Sequence, residues 1–257
     1  MTQDARRKEI IRLLQDNVNL ETNKLACDFG VSAVTIRRDF DFLERQGLIT
    51  TTYGGAIVNK TLPDIVDTEG SADEHKRIAE KRAIARKAAE LIKPGDTVLL
   101  DAGSTVKELA IELLAKKDIT VLTNSILVIN VLSQGKGISV ISLPGTFKRS
   151  SMCFFGTTTV DFLNFVHVDY AFIGCSAISY EHGCTIHDPD EALVKRQMSR
   201  VAERSVVLAD HWKLGTSSTY TALPLNEMDM LITGNTESKQ LSLIQESGVE
   251  VITVDAK

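Results

Sequence analysis

The 257-residue chain has no apolar run long enough to cross a membrane, and its start, M-T-Q-D-A-R-R-K, has no hydrophobic stretch behind the basic residues. A membrane protein and a secreted one are therefore both set aside, and the expected location is the cytoplasm. Cysteine is sparse. Cys27, Cys153, Cys175 and Cys184 stand far apart with no C-x-x-C pair, which excludes a disulfide framework and a zinc ribbon. A strong charge of either sign is also lacking. Residues 1–60 carry nine Lys and Arg against eight Asp and Glu, net +1, which leaves net −6 for residues 61–257 out of the overall −5. Diffuse attraction to a polyanion is thus weak, and any nucleic-acid binding must come from a few well-placed arginines and from more than one copy of the domain. There is no internal repeat and no low-complexity tract.

What is present, 43% hydrophobic and 25% charged residues, suits one large domain or two smaller ones. In V-S-A-V-T-I-R-R-D-F-D-F-L-E-R-Q-G, Val31 to Gly47, Ser32 is a good N-cap, Ile36, Phe40 and Leu43 recur at helical spacing, and Gly47 can close the helix. Placing Ile36 at the centre of the buried stripe throws Val34, Arg37, Arg38, Asp41 and Arg45 onto the opposite face. Arginine makes bidentate bonds to guanine or phosphate, so this face could serve a major groove, though on the helix pattern alone a solvated charged face is the favoured reading.

The neighbouring stretches favour the groove. A helix from about Asp4 to Asp16, with Arg6, Arg7 and Lys8 in an exposed first turn, is followed by one that Thr22 can cap and Gly30 ends. Small Ala26 four residues before Gly30 permits the close crossing of a helix-turn-helix. Leu48 to Tyr53, then Gly54-Gly55, then Ala56 to Val58 reads as strand, turn, strand, the wing of a winged helix. Ser32 and Thr35, at the helix start, then reach base edges, Val34 suits a thymine methyl, and Arg37 and Arg38 suit bases or phosphates. Asp39 turns toward a neighbouring helix.

Residues 59–76 are polar, contain Pro63 and Gly70, and read as a linker between a 1–58 domain and a 77–257 domain. Beyond it a helix from about His75 to Lys93 is followed by alternation: strand 97–101, helix 106–116, strand 119–122, helix 126–134, strand 138–143. Further strands are expected at 170–174, 206–210, 230–233 and 249–254, with helices around 157–165, 189–203 and 237–247. This predicts an α/β domain with a mostly parallel sheet.

Asp101-Ala102-Gly103-Ser104-Thr105 ends a strand and opens a helix, where free backbone N–H groups attract anions. Gly103 allows close approach, and the Ser104 and Thr105 hydroxyls can add bonds to phosphate oxygens. A plain turn with Ser104 as N-cap accounts for the same residues. Thr123-Asn124-Ser125 ends the next strand and would line the same edge, or form an Asn turn and a Ser cap. Gly145 to Arg149 brings Lys148 and Arg149, local positive charge in an acidic domain. Asp188-Pro189-Asp190-Glu191 has the form of a capping box, and Glu191 and Lys195 are an i, i+4 pair. His182, Cys184 and His187 lack a fourth ligand and regular spacing, so neither a metal nor another cofactor is expected.

Val31-Ser32, Thr35-Ile36-Arg37-Arg38-Asp39, Leu43-Glu44, Gly47-Leu48-Ile49 and Tyr53-Gly54-Gly55-Ala56 resemble the DNA-binding domain of the DeoR family of bacterial transcriptional regulators. Asp101 to Thr105, Thr123 to Ser125, Asp169 to Gly174, Glu191-Ala192, Lys195 to Met198 and Lys213-Leu214-Gly215 are similar to its C-terminal sensor domain, in the expected order. The resemblance implies a sensor related in fold to ribose-5-phosphate isomerase and the CoA transferases, and a phosphorylated sugar or similar metabolite as effector. It also implies a homo-oligomer, dimer or tetramer, acting on a double-stranded operator, usually as a repressor. It adds Tyr53 and Gly54 to the DNA-contacting residues and Gly174, Asp188, Glu191, Lys195 and Lys213 to the effector-contacting ones. The chain departs from the family at Thr51, where relatives commonly carry arginine, and at Pro144, Ala177 and Trp212, the last placed at the pocket mouth by the resemblance. The rival reading is a sugar-phosphate isomerase or CoA-transferase-like enzyme on the same scaffold. Gly174-Cys175-Ser176-Ala177 lacks the acidic cluster that such an isomerase uses.

Overall fold

The computed structural model describes residues 6, 7, 9, 10, 13, 20–45, 49–52, 55–58 and 72–255. The chain divides into two compact units, 1–70 and 71–257. No helix among the described residues is long and apolar enough to cross a membrane.

In the first unit, strand β1 (Leu20–Glu21) leads into α1 (Thr22–Phe29), α2 (Ala33–Arg45), β2 (Ile49–Thr52) and β3 (Gly55–Val58). Gly30 ends α1 in the left-handed conformation, φ 63° and ψ 37°, with its amide and that of Val31 returning to Cys27 and Ala26 carbonyls. Ser32 then caps α2, its hydroxyl accepting from the Thr35 amide at 3.2 Å. Ile10, Leu25, Ile36, Phe40, Leu43, Ile49 and Ala56 make the core, so the buried stripe of α2 is the one its periodicity predicts. The strands pair antiparallel in the order β1-β3-β2.

Three expectations are corrected here. Thr22 does not cap α1: Glu21 holds the cap position without a side-chain bond, and Thr22 is a buried first helical residue. Arg6 and Arg7 are not a solvated first turn, because their Nε atoms donate to Asp39 Oδ2 at 2.6 Å and Oδ1 at 2.9 Å, and Asp39 is fully buried. A buried carboxylate needs this compensation, and two guanidinium groups supply it. Gly55 opens β3 opposite Thr52 and so belongs to the strand, not the turn. The two-residue β1 was not predicted, since two residues show no alternation. The expected helix from Asp4 to Asp16 and the Gly47 closure fall largely outside the described residues.

The second unit begins with α3 (Ala72–Leu91), which starts inside the expected 59–76 linker. Then come β4 (Thr97–Leu100), α4 (Ser104–Leu113), β5 (Ile119–Thr123), α5 (Ile126–Leu132) and β6 (Ile138–Ser142). A hairpin of β7 (Thr146–Lys148) and β8 (Cys153–Phe155) precedes α6 (Thr157–Leu163), β9 (Val168–Gly174), β10 (Ala177–Ser179), β11 (Gly183–Ile186) and α7 (Pro189–Arg200). The chain ends with β12 (Ala202–Ala209), β13 (Tyr220–Leu223), β14 (Met230–Gly234), α8 (Lys239–Glu246) and β15 (Glu250–Val254). Seven strands form one parallel sheet, β15-β14-β12-β9-β4-β5-β6.

Residues alternate between two cores along each central strand. Leu99, Leu122, Ile173, Val207 and Leu231 point to one, with Met198 of α7 and Ile244 of α8. Val98, Val121, Phe172, Leu208 and Ile232 point to the other, with Ile84 and Ala88 of α3 and Leu109 of α4. Burial on both faces explains why these strands read as apolar runs. The expected helix 189–203 stops at Arg200, because Ala202 already pairs with Val168 in the sheet. Strand order reverses between β4 and β9, the switch point where parallel sheets open a crevice at their carboxyl ends.

Asp39→Asn removes the charge that Arg6 and Arg7 share. It is expected to cost about 3 kcal/mol in the first unit, since breaking a buried pair leaves uncompensated charge. Hydrogen exchange across residues 33–45 reads this as lost protection, and unchanged protection contradicts the anchoring role.

Candidate functional site

On α2 the capping bond leaves a polar N-terminal corner: Ser32 Oγ lies 2.9 Å from Thr35 Oγ1. Val34, Arg37, Arg38 and Asp41 are exposed, as the helical period predicts, and neither Arg37 nor Arg38 makes an ion pair with a described residue. Two unspent guanidinium groups on one exposed face can accept phosphate or base partners without first breaking a protein contact. Thr51 fastens β2 to this helix. Its amide and hydroxyl both donate to Glu44 Oε1, at 2.7 and 2.8 Å, and these bonds hold the Glu44 carboxyl below its usual range. Tyr53 and Gly54 lie outside the described residues.

In the second unit the strand-end motifs converge at the carboxyl edge of the sheet. Asp101, just after β4, is fully buried, with Oδ2 accepting from the Gly174 amide at 3.0 Å and paired with the Lys195 ammonium. Lys195 is itself only 2% exposed. Burial works against its charge, but Asp101 outweighs burial and raises its pKa, so the side chain stays an ammonium.

Several polar atoms in the segments that follow β4, β5 and β7 are buried without a hydrogen-bond partner, namely Asp101 Oδ1, Thr105 Oγ1, Asn124 Oδ1 and Ser151 Oγ, as are Glu227 Oε2 and Thr233 Oγ1 elsewhere in the unit. Such atoms are uncommon in a folded interior and mark places where a ligand or solvent completes the bonding. Asn124 is oriented by its Nδ2, which donates to the Phe154 carbonyl at 3.1 Å, so its carbonyl oxygen is left over. Gly103, with φ 131°, is the N-cap of α4 and brings no side chain to it, so the first amides of that helix remain open to an anion. The reading of Ser104 as N-cap is thereby corrected. Ser104 is the first helical residue.

The remaining expected residues divide by what their atoms already do. Ser125 Oγ caps α5, as the Ser-cap reading has it, but the expected Asn turn is corrected: it is the Thr123 hydroxyl that accepts from the Ser125 amide, at 3.1 Å, because the Asn124 amide group is drawn to the Phe154 carbonyl. A side chain on Gly145 would sit 2.3 Å from Thr159 Oγ1, and that hydroxyl donates to the Pro144 carbonyl, so Pro144-Gly145 is docked on α6. Gly174 has no room for a side chain against the Ala102 carbonyl, 2.8 Å away, and contributes its amide to Asp101. Asp188 caps α7 through Oδ1 and pairs through Oδ2 with Lys148 of the β7–β8 hairpin. Burial opposes its ionisation, but Lys148 and the Glu191 and Asp190 amides prevail and hold it below the usual range. Lys148 is raised in turn by Asp188.

Glu191 moves the other way. Burial raises its pKa, Lys195 pulls it back, and Asp101 and Asp188 raise it further. Lys213 is not part of this cluster of bonds. It sits after β12 with its ammonium 3.9 Å from Asp210. Trp212 lies against His211, ring centroids 4.3 Å apart and planes tilted by 36°, with the Arg77 guanidinium of α3 5.1 Å from its ring. Sequence reasoning missed Ser151. The alternation of Phe147 and Lys148 against Cys153 and Phe155 was the available sign of the hairpin that carries it. His187 Nδ1 lies 2.7 Å from Ser218 Oγ, and no group of three or more His, Cys, Asp and Glu among the described residues is placed to hold a metal.

Comparison with known proteins matches a DeoR-like helix-turn-helix domain to residues 6–62 and a DeoR C-terminal sensor domain to residues 76–235. The chain is 38% identical over 257 residues to the HTH-type transcriptional repressor GlcR of Bacillus subtilis (strain 168), covering 99% of this chain and 98% of that one. It is 36% identical over 253 residues to the putative aga operon transcriptional repressor of Escherichia coli O157:H7, covering 97% and 93%. Among solved structures, ribose 5-phosphate isomerase A from Methanocaldococcus jannaschii aligns with a TM-score of 0.39 and 19% identity over 56% of this chain and 55% of that one.

The raised Glu191 gives a pH test. A carboxyl whose folded pKa lies above its unfolded one costs stability once ionised, and the cost fades as pH falls through that window. Glu191→Gln is expected to unfold at higher temperature than the native protein at neutral pH, with the gap closing toward pH 4. A gap that is absent or widens on acidification contradicts the burial account.

Proposed function

Because the chain belongs to the DeoR family of DNA-binding transcriptional regulators, which are not enzymes, we propose that it represses a carbohydrate-metabolism operon and releases its operator when a phosphorylated sugar or related metabolite binds the second unit. The names of its relatives support the sign: both relatives described above are named as transcriptional repressors. The observation that carries the effector reading is the buried Lys195 ammonium set among polar atoms that no protein group satisfies. A phosphoryl group at the open amides of Gly103 to Thr105 is the guest this arrangement suits, near the Ser104 and Thr105 hydroxyls. Asn124, Glu191 and Lys195 are left to receive sugar hydroxyls. Thr123, Ser125, Gly145 and Gly174 shape the walls, Lys148 and Asp188 close one side, and Lys213 approaches from the β12 end.

At the other end Arg37 and Arg38 contact bases or phosphates, with Ser32, Val34 and Thr35 at the helix start and Tyr53 and Gly54 from the wing. With net +1 over residues 1–60, one copy binds weakly. A homo-oligomer, dimer or tetramer, acting in the cytoplasm on two half-sites supplies the missing affinity. Release is a population shift: the effector must bind more tightly to the arrangement of subunits that fits the operator less well. No bond is made or broken.

With an operator selected by the protein from random DNA, Arg37→Ala is expected to weaken binding by about 1–3 kcal/mol at fixed salt, read by gel shift. Full affinity in that variant contradicts the assignment. The double variant Asp101→Asn with Lys195→Met replaces the buried pair by neutral groups of similar size. It is expected to bind the operator as the native protein does while losing its response to sugar phosphates, and a retained response contradicts the pocket.

A further inference from the structure

The loop that carries Lys213 is held from outside the pocket. After β12 the chain makes a short 3-10 turn, His211–Lys213, and its first residue is gripped twice by Glu80 of α3. Glu80 Oε1 accepts from the His211 amide at 2.6 Å, and Oε2 lies 2.6 Å from His211 Nδ1. A carboxylate only accepts, so Nδ1 carries the shared proton. Glu80 is 4% exposed. Its carboxylate fills the space where Gly234, at the end of β14, has no side chain: a Cβ there would fall 2.0 Å from Oε1. Arg77, one turn earlier on α3, lies 5.1 Å from the Trp212 ring. The far end of the loop is tied to β10 by the Gly215 amide, which donates to the Ile178 carbonyl at 2.9 Å.

α3 also reaches the other wall of the pocket. Ile84, Ala85 and Ala88 share a core with Val106, Leu109 and Ala110 of α4, the helix whose open N-terminus faces the strand ends, and Arg82 Nε donates to Glu108 at 3.2 Å. It is the first element of the second unit in chain order, following directly on the residues of the first. One helix is therefore in contact with both the Lys213 loop, through the buried Glu80 carboxylate, and α4, through apolar packing and the Arg82–Glu108 bond.

We propose that Glu80 is a positioning residue: it aims the His211–Lys213 turn at the effector and carries the turn's displacement on binding into α3, so that occupancy is read where the chain enters the second unit. This rests on the effector reading of the pocket given above. A buried carboxylate that bonds both the backbone and the ring of one residue leaves the turn no independent movement. Whatever shifts Lys213 shifts His211, and with it Glu80. Allosteric coupling needs such an element with differential contacts in the two states. Gly234 is part of the device, since only glycine leaves the slot that Glu80 occupies.

The full-length protein bound to its selected operator supplies the test, with four variants: Glu80→Ala, Glu80→Gln, His211→Ala and Gly234→Ala. The last is the cleanest, because the atom its Cβ displaces is the tip of a flexible side chain, so the fold is kept while the Glu80–His211 contact is not. Hydrogen exchange at the His211 amide and Trp212 emission are read first, without ligand. Operator affinity is then measured with and without ribose 5-phosphate, glucose 6-phosphate, fructose 6-phosphate, glycerol 3-phosphate and inorganic phosphate, and direct binding of each by calorimetry. Glu80→Ala and Gly234→Ala are expected to exchange the His211 amide faster and to shift Trp212 emission. They should still bind the active phosphate, yet lose the roughly 5- to 150-fold change in operator affinity typical of such coupling. Glu80→Gln, which still accepts from the amide, is expected to restore much of it, and His211→Ala to lie between. Native exchange and an undiminished change in operator affinity in Gly234→Ala and Glu80→Ala overturn the proposal while leaving the pocket in place. If no phosphate binds the native protein, the effector reading fails and the coupling role falls with it, while the exchange result still decides whether Glu80 holds the turn.

Discussion

A buried ammonium and a buried carboxylate meet where the strand order of the main sheet reverses, and the rest of the second unit is arranged to make that contact tolerable. Asp101 comes from the end of β4, the amide that supports it from the end of β9, and Lys195 from the middle of α7. None of the three is near another in sequence, so the pair can form only once the parallel sheet is complete and α7 lies across it. Removing either partner alone leaves a buried charge without its partner, at a cost of about 3–5 kcal/mol. The pair is weak evidence for stability, because two apolar residues of the same size would serve packing as well. Its value is in what remains over: an ammonium with further donors, a carboxylate oxygen with no partner, and a Glu191 whose pKa burial raises beside them.

The first unit solves a related problem in the opposite way. Asp39 of α2 is also fully buried, but Arg6 and Arg7 complete its bonding, and it is absent from the unpartnered buried atoms. That contact spends two of the unit's basic residues on structure and leaves Arg37 and Arg38 on the exposed face of the same helix. The near-neutral charge of residues 1–60 is thus divided between holding the helix and reading with it. Thr51 is likewise spent on structure, bonding Glu44 and tying β2 to the helix.

How much could be read beforehand depends on how local each cause is. The exposed face of α2 follows from a 3.6-residue period, and Val34, Arg37, Arg38 and Asp41 lie where that period puts them. The main strands are apolar runs because both faces are buried. Strands β7, β8, β10, β11 and β13 were not foreseen, since segments of three or four residues are too short to show a period of their own. In the pocket, each strand-end motif was recognisable separately, but not which atoms of it were free. Thr123 and Ser125 are consumed by a local turn and a cap, whereas Thr105 and Asn124 each keep an unpartnered oxygen. The pairing of Asp101 with Lys195, the Glu80 grip on His211 and the Arg77–Trp212 contact are properties of the assembled fold.

The most direct test of the central claim is a crystal structure of the full chain with the sugar phosphate that releases its operator. The account predicts a phosphoryl group at the N-terminus of α4, bonded by the amides of Gly103 to Thr105 and by Thr105 Oγ1, with sugar hydroxyls meeting Lys195, Asn124 Oδ1 and Asp101 Oδ1. A ligand bound elsewhere, with those buried atoms still unpartnered, contradicts it.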